Sequence, residues 1–256
     1  MQTRKRGVVR VTIRLDNGAG PARSRTAMPT GSFLPADAEL AMIQLYYHPG
    51  NASLAPHMLL EEIGSPFELV FVDRANAAHK SPEYLKLNPN GQIPVLVDGG
   101  SVVYEAPAIC LYLADRYPDA KLVPPLGTAE RAHFYQWLFW CTNTLQAMLM
   151  HYFYSERMVD DADADAATQV RKRAEARAGA MLDRLDEQLA FHGGDWLLGS
   201  AFSAVDPYAL MLCRWTRNFT RPARSLPRLA PYLQRMLARP AIQRAFATEK
   251  LSTPFI

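Results

Sequence analysis

Residues 42–73 read as a strand, a helix and a second strand, and a tight hairpin follows before position 105. That succession constrains the fold more than any other feature of the sequence. MIQLYYH is a strand pattern. SLAPHMLLEEIG is a helix pattern, with Pro56 tolerated in the first turn and Gly64 at the stop. PFELVFVD is a second strand, and a helix between two strands predicts that they run parallel. Asp98-Gly99-Gly100 separates IPVLV from SVVYE, the signal for an antiparallel hairpin. Pro107 then opens the helix APAICLYLADRYP at the position where proline is best accommodated. The expected order is β-α-β-(α)-β-β-α.

The strand patterns stop at a proline-rich stretch, LVPPLGT. ERAHFYQWLFWCTNTLQAMLMHYFY reads as one long helix crowded with aromatics and methionine. Val170, Ala174, Ala178, Met181, Leu185 and Leu189 recur three or four residues apart, the apolar face of a helix that stops at Gly193-Gly194. Ser203 and Asp206 have capping-box spacing, and a last helix surrounds PYLQRMLARPAIQRAF. The prediction is an α/β domain over residues 42–121, a linker at 122–127 and an all-α domain over 128–256.

Composition removes several function classes. A net charge of +3 over 256 residues is too small to suggest nucleic acid as a partner. The chain is 49% hydrophobic, yet no apolar run approaches the roughly 18 residues that span a membrane. Cys110, Cys141 and Cys213 are odd in number and far apart, so buried free thiols in a reducing cytoplasm are expected rather than a disulfide scaffold. Residues 1–41 carry Arg4, Lys5, Arg6, Arg10, Arg14, Arg23 and Arg25 among Gly, Pro, Ser and Thr. They are expected to be a disordered basic extension outside the fold. No metal is expected: the histidines lack helical ligand spacing, and Asp161, Asp163 and Asp165 lack the glycine and glutamate of a calcium loop. Those aspartates are expected at a helix N-terminus instead.

Chemistry concentrates in HPGNASLAPH, residues 48–57, where the first strand turns into the first helix. Asn51 and Ser53 are polar residues at that helix start, with Tyr47 just before the bend. Either they contact a ligand at the helix mouth or they cap the helix, as both types favour that place.

YYHPGNASLAPHMLLEE resembles the first strand, turn and helix of the bacterial beta-type members of the cytosolic glutathione transferases. SPEYLKLNPNGQIPVLV resembles their segment leading into a cis-proline strand, and VVYEAPAICLYLADRYP the strand and helix that follow. FSAVDPYALMLCRW and RMLARPAIQRA resemble two signatures of the helical domain. The resemblance covers residues 42–250. It implies a thioredoxin-like domain that binds glutathione, an all-α domain that shapes the pocket for a hydrophobic electrophile, and a homodimer.

It also assigns roles. Ile93-Pro94 would be the cis bond, presenting Ile93 backbone groups to a peptide-like ligand, with Gln92 beside it. Glu105 would meet the ammonium of the γ-glutamyl end and the Ala106 N–H its carboxylate. Ala106 stands where many members have serine. Lys80, or His79 next to it, would meet the glycine carboxylate. Ser53 is the first expected donor to the glutathione sulfur, followed by Asn51 and Tyr47. Ala52 stands where beta-type members commonly carry cysteine, which argues against mixed-disulfide chemistry. Gln146 stands where some carry a histidine. Trp137, Trp140, Met148, Met150, Tyr152 and Phe153 either line an electrophile pocket or form helix-bundle core. The expected activity is conjugation of the glutathione thiolate to small hydrophobic electrophiles. A non-catalytic glutathione-binding protein and a glutathione-dependent isomerase or dehalogenase are the alternatives.

Overall fold

The computed structural model describes residues 10–12, 42–160 and 163–256. Its first domain is a mixed sheet with strand order β1-β3-β2-β4-β5. The strands are β1 (Arg10–Thr12), β2 (Ile43–Tyr47), β3 (Phe67–Phe71), β4 (Val95–Asp98) and β5 (Ser101–Tyr104). The strands β2 and β3 pair in parallel, with Tyr47 opposite Phe71, as the connecting helix α1 (Leu54–Ile63) requires. Strand β4 runs antiparallel to β2 and forms the two-residue hairpin with β5 across Gly99-Gly100. A short α2 (Pro82–Leu87) precedes β4, and α3 (Ala106–Arg116) follows β5. This is a thioredoxin-like sheet with one strand added.

The added strand corrects an expectation. Arg10–Thr12 pairs in parallel with Leu69–Phe71 of β3, so part of the basic extension joins the sheet edge. Alternating Val and Thr beside Arg10 suits an edge strand. The remainder of residues 1–41 lies outside the described residues.

Helix α1 explains how the two halves meet. Leu54, Ala55, Met58, Leu59 and Leu60 are all fully buried, so the helix is covered on both faces. One face packs on α3, the other on α7 (Val205–Trp215) and α9 (Pro240–Thr248). Gly64 ends it at φ 72°, where a residue without a Cβ is unstrained. At the rim of the contact Arg239 grips Glu62 with two bonds of 2.6 and 2.9 Å.

The second domain is helical. The long helix expected from ERAHF to YFY is a continuous run of α4 (Ala129–Trp140), a π-helical segment over Cys141–Gln146, and α5 (Ala147–Phe153). The helices α6 (Ala164–His192), α7, α8 (Leu229–Ala238) and α9 complete it. Asp163 caps α6 by accepting from the Ala166 N–H at 2.8 Å, and Asp165 lies in the first turn. Asp161 lies outside the described residues. The capping box before α7 forms by half: Asp206 reaches back to the Ser203 N–H at 2.8 Å, but Ser203 donates its hydroxyl to the same carboxylate. Asp206 also accepts from Leu197 N–H and Tyr232 O–H, which makes it a buried node rather than a surface cap. Trp137 and Tyr152 belong to the core, Trp140, Met148 and Met150 pack partly against it, and Phe153 is exposed.

Candidate functional site

The C-terminal ends of β2 and β3 and the start of α1 come together at one edge of the first domain. Open α/β sheets place ligands at that edge. The Tyr47 carbonyl accepts from Val72 N–H at 2.8 Å, and the His48 ring meets the Val72 carbonyl at 2.9 Å. Pro49 and Gly50 then turn the chain, with Gly50 at φ 71°, and Leu54 N–H closes onto Asn51 O at 2.9 Å.

Ser53 is not presented to a ligand here. It is fully buried, and its hydroxyl donates to the His48 carbonyl at 3.1 Å while accepting from the His48 N–H at 3.3 Å. A hydroxyl has one proton, and this one is given to the backbone. It locks the turn and makes no capping bond to α1. Tyr47 is also buried, with its ring against His57 and Phe71.

Asn51 is half-buried at the same turn, and Arg74 donates to its Oδ1 at 2.9 Å. A guanidinium only donates, so the atom it meets must be the amide oxygen. The NH2 is thereby the end of Asn51 left to donate. Arg74 also donates to the Tyr154 hydroxyl at 3.1 Å, which ties the loop after β3 to the end of α5. Neither Arg74 nor Tyr154 was singled out from the sequence. The available signal was position: Arg74 lies just beyond the carboxyl end of a parallel strand.

Ile93-Pro94 is a cis peptide. The loop before it is pinned, since Tyr84 O–H and Asn88 Nδ2 both donate to the Gln92 carbonyl, at 2.7 and 2.8 Å. The Gln92 side chain is exposed, and Ile93 precedes the β4 ladder, which begins at Val95. Glu105 is exposed and occupies φ 70°, ψ 114°, a region that non-glycine residues rarely adopt. It makes no capping bond, so its carboxyl remains available where α3 begins at Ala106. Lys80 is exposed and donates to Asn90 O at 3.2 Å. Burial, then the charges of Lys80, Arg74 and His48, hold His79 below the ordinary histidine value. Gln146 lies in the π-helical segment and accepts from the Tyr208 hydroxyl.

Two family descriptions match, "Glutathione S-transferase, N-terminal domain" over residues 41–115 and "Glutathione S-transferase, C-terminal domain" over residues 168–235. The chain belongs to the glutathione S-transferase family. This family member is 30% identical to the glutathione S-transferase GstA of Escherichia coli O157:H7, over 82% of the present chain and all of the relative. It is 29% identical to the disulfide-bond oxidoreductase YfcG of E. coli K12, over 82% of the chain and 97% of the relative. A glutathione transferase homologue from Sulfitobacter, solved with bound glutathione, superposes with a TM-score of 0.74 at 26% identity. That match covers 82% of this chain and 99% of the Sulfitobacter one. Family membership thus rests on matches in both domains.

Three cysteines sit away from that turn. Cys110, Cys141 and Cys213 are free and buried, and burial pushes Cys213 up to about 12 and the other two higher still. Among the described residues no helix is long and apolar enough to cross a membrane. No group of His, Cys, Asp and Glu among them is placed to hold a metal ion.

Proposed function

We propose that this family member is a glutathione S-transferase in which Asn51 donates to the glutathione sulfur and stabilises the thiolate for attack on a small hydrophobic electrophile. The observation that carries the reading is the Asn51 amide, its oxygen already taken by Arg74 and its NH2 left at the mouth of α1. A free thiol has a pKa of about 8.5, and lowering it by about two units takes about 2.7 kcal/mol. A helix N-terminus supplies about 0.3–1 kcal/mol. One donor to a charged acceptor adds about 1.5–3 kcal/mol. Helix and donor together give about 1.8–4 kcal/mol, a range that contains the requirement; the helix alone falls short of it. Ser53, whose proton is committed to His48, supports this arrangement by holding the turn.

In this reading glutathione lies along Ile93-Pro94 as an added strand, with its γ-glutamyl end at Glu105 and Ala106 and its glycine carboxylate near Lys80 and Gln92. Exposed Val102 and Tyr104 on β5 and Phe139 on α4 give apolar surface for a homodimer. Three free thiols suit a reducing cytoplasm. Ala52 cannot form a sulfur bond, so thiol–disulfide exchange through this turn is not part of the reading. A glutathione-binding protein without catalysis is the second reading, favoured by Ala106 in place of a hydroxyl donor and by Gln146, whose amide oxygen is held by Tyr208.

Turnover of chlorodinitrobenzene separates the two. Retention on immobilised glutathione with turnover supports the transferase, and retention without it supports the binding protein. Asn51→Ala should lower kcat/KM about 10- to 100-fold, the loss that about 1.5–3 kcal/mol implies. An unchanged rate would return the sulfur donor to Ser53 or Tyr47.

A further inference from the structure

Arg74 is the feature that the proposed chemistry does not by itself explain. It is half-buried, and among the described residues no carboxylate pairs with it. Its two bonds go to neutral oxygens instead, Asn51 Oδ1 at 2.9 Å and the Tyr154 hydroxyl at 3.1 Å. A half-buried arginine usually finds an acid, because a paired charge is cheaper to desolvate. One that does not is available to an anion.

We infer that Arg74 is a positioning residue for the glutathione sulfur: it fixes the Asn51 amide with its NH2 as the outward donor and lends the site an uncompensated positive charge. The inference rests on the reading of Asn51 as sulfur donor. Two observations carry it beyond that reading. First, an asparagine amide can present either end, and only a donor-only partner at Oδ1 selects the NH2 for the ligand. Second, the guanidinium is itself fixed from the other domain. Tyr154 closes α5, and its ring lies under Arg157, whose guanidinium carbon is 4.0 Å from the ring centroid. The chain Tyr154–Arg74–Asn51 therefore makes the orientation of the sulfur donor depend on how the helical domain is seated.

The surroundings are consistent with an anion at this place. Electrostatic influence from Arg74, Lys80 and His48 reaches His79, so these groups lie near one another. Asp73 is the nearby acid, and its carboxylate is occupied by Asn76 and the Ala75 N–H within its own turn. Lysine at position 74 would keep the charge but not the fork that reaches Asn51 and Tyr154 together.

The test is ultraviolet titration of the bound glutathione thiol in the full chain, in wild type and in Arg74→Met, Arg74→Lys, Tyr154→Phe and Asn51→Ala. Arg74→Met should raise the midpoint by about one pH unit and lower kcat/KM below that midpoint about tenfold, the effect of losing one charge-assisted contact. Arg74→Lys and Tyr154→Phe should each give a smaller rise, and both keep the loop populated should the methionine variant fail to fold. Combining Arg74→Met with Asn51→Ala should add little to either change alone, because the two act on one contact. A raised midpoint in Asn51→Ala with wild-type values in all the Arg74 and Tyr154 variants would overturn the inference and leave the Asn51 reading standing. An unmoved midpoint in Asn51→Ala would remove that reading and the inference with it. A change confined to KM for glutathione in the Arg74 variants would show a merely structural role and would also overturn it.

Discussion

The backbone N–H of Gly50 donates to the carboxyl group of Glu249 at 2.7 Å, across 199 residues of sequence. The other oxygen of Glu249 meets His57 Nδ1 at 2.8 Å, and both side chains are fully buried. Trp215 Nε1 donates to the Gly50 carbonyl at 2.9 Å. Both backbone groups of the glycine in the turn are therefore held by side chains of the helical domain. Glu249→Ala removes both acceptor oxygens and leaves the Gly50 N–H and the buried His57 Nδ1 without their partner. The expected cost is about 3 kcal/mol, as for a broken buried pair, with a fall in kcat larger than the rise in KM. Urea unfolding and steady-state kinetics on one preparation check it; an unchanged urea midpoint would refute the clamp.

Ser53→Ala removes a hydroxyl that closes the turn onto His48 from both sides. The half-buried His48 carbonyl loses its side-chain donor, at a cost of about 1–2 kcal/mol in stability. The bound thiol should titrate close to wild type, because Ser53 gives its proton to the backbone. A thiol midpoint raised by a full pH unit in this variant would make Ser53 the sulfur donor after all.

Glu105→Gly separates stability from binding at one position. The φ of 70° and ψ of 114° strain a residue with a Cβ by about 1–3 kcal/mol, and glycine adopts them freely. Part of that gain is offset by the greater freedom of glycine in the unfolded chain, about 0.5–1 kcal/mol. The variant should unfold at a slightly higher urea concentration while KM for glutathione rises about tenfold through loss of the carboxylate partner. A destabilised variant would show that the Glu105 side chain holds the fold rather than a ligand.

The three thiols should be silent in the folded chain. Desolvation holds Cys110, Cys141 and Cys213 protonated, and the thiolate is the reactive form. Ellman's reagent should therefore label none of them at pH 8 in native buffer and all of them in guanidinium chloride. Rapid native labelling of any one would reopen thiol chemistry for this chain.

The element order, the parallel pair and the hairpin were legible because each depends on near neighbours in sequence. The parallel pair β2 and β3 follows from one intervening helix, and the β4–β5 hairpin from Gly99-Gly100. The basic extension was misread over Arg10–Thr12 because its Arg-rich, Gly- and Pro-containing composition outweighed the short alternating stretch around Arg10. Ser53 was the first expected sulfur donor because it matches a serine of the family motif. Which way a hydroxyl points depends on the carbonyl five residues earlier, and that requires the turn geometry. Arg74 and Glu249 act through partners that the chain meets only after folding. Their roles had no sequence pattern to carry them, although the place of Arg74 just past a parallel strand was a usable hint.

His79 and Lys80 are adjacent, and pH distinguishes them. Burial first, then the charges of Lys80, Arg74 and His48, push His79 below the ordinary histidine value near 6.5. Its folded form therefore holds its proton less tightly than the unfolded chain does. As pH falls through about 6.5 the unfolded state takes up a proton that the folded state declines, so this group's contribution to stability is present above that pH and is lost below it. Above that pH His79 is mostly uncharged, and in the proposed reading Lys80 is the cation left for the glycine carboxylate of glutathione. Lys80→Ala should raise KM for glutathione about fivefold at pH 7, the loss of one exposed ion contact, whereas His79→Ala should leave it near wild type. Proton NMR of the His79 ring should place its midpoint below that of a histidine in an unfolded peptide. A midpoint at or above the peptide value would make His79 the competing cation and transfer the carboxylate contact to it.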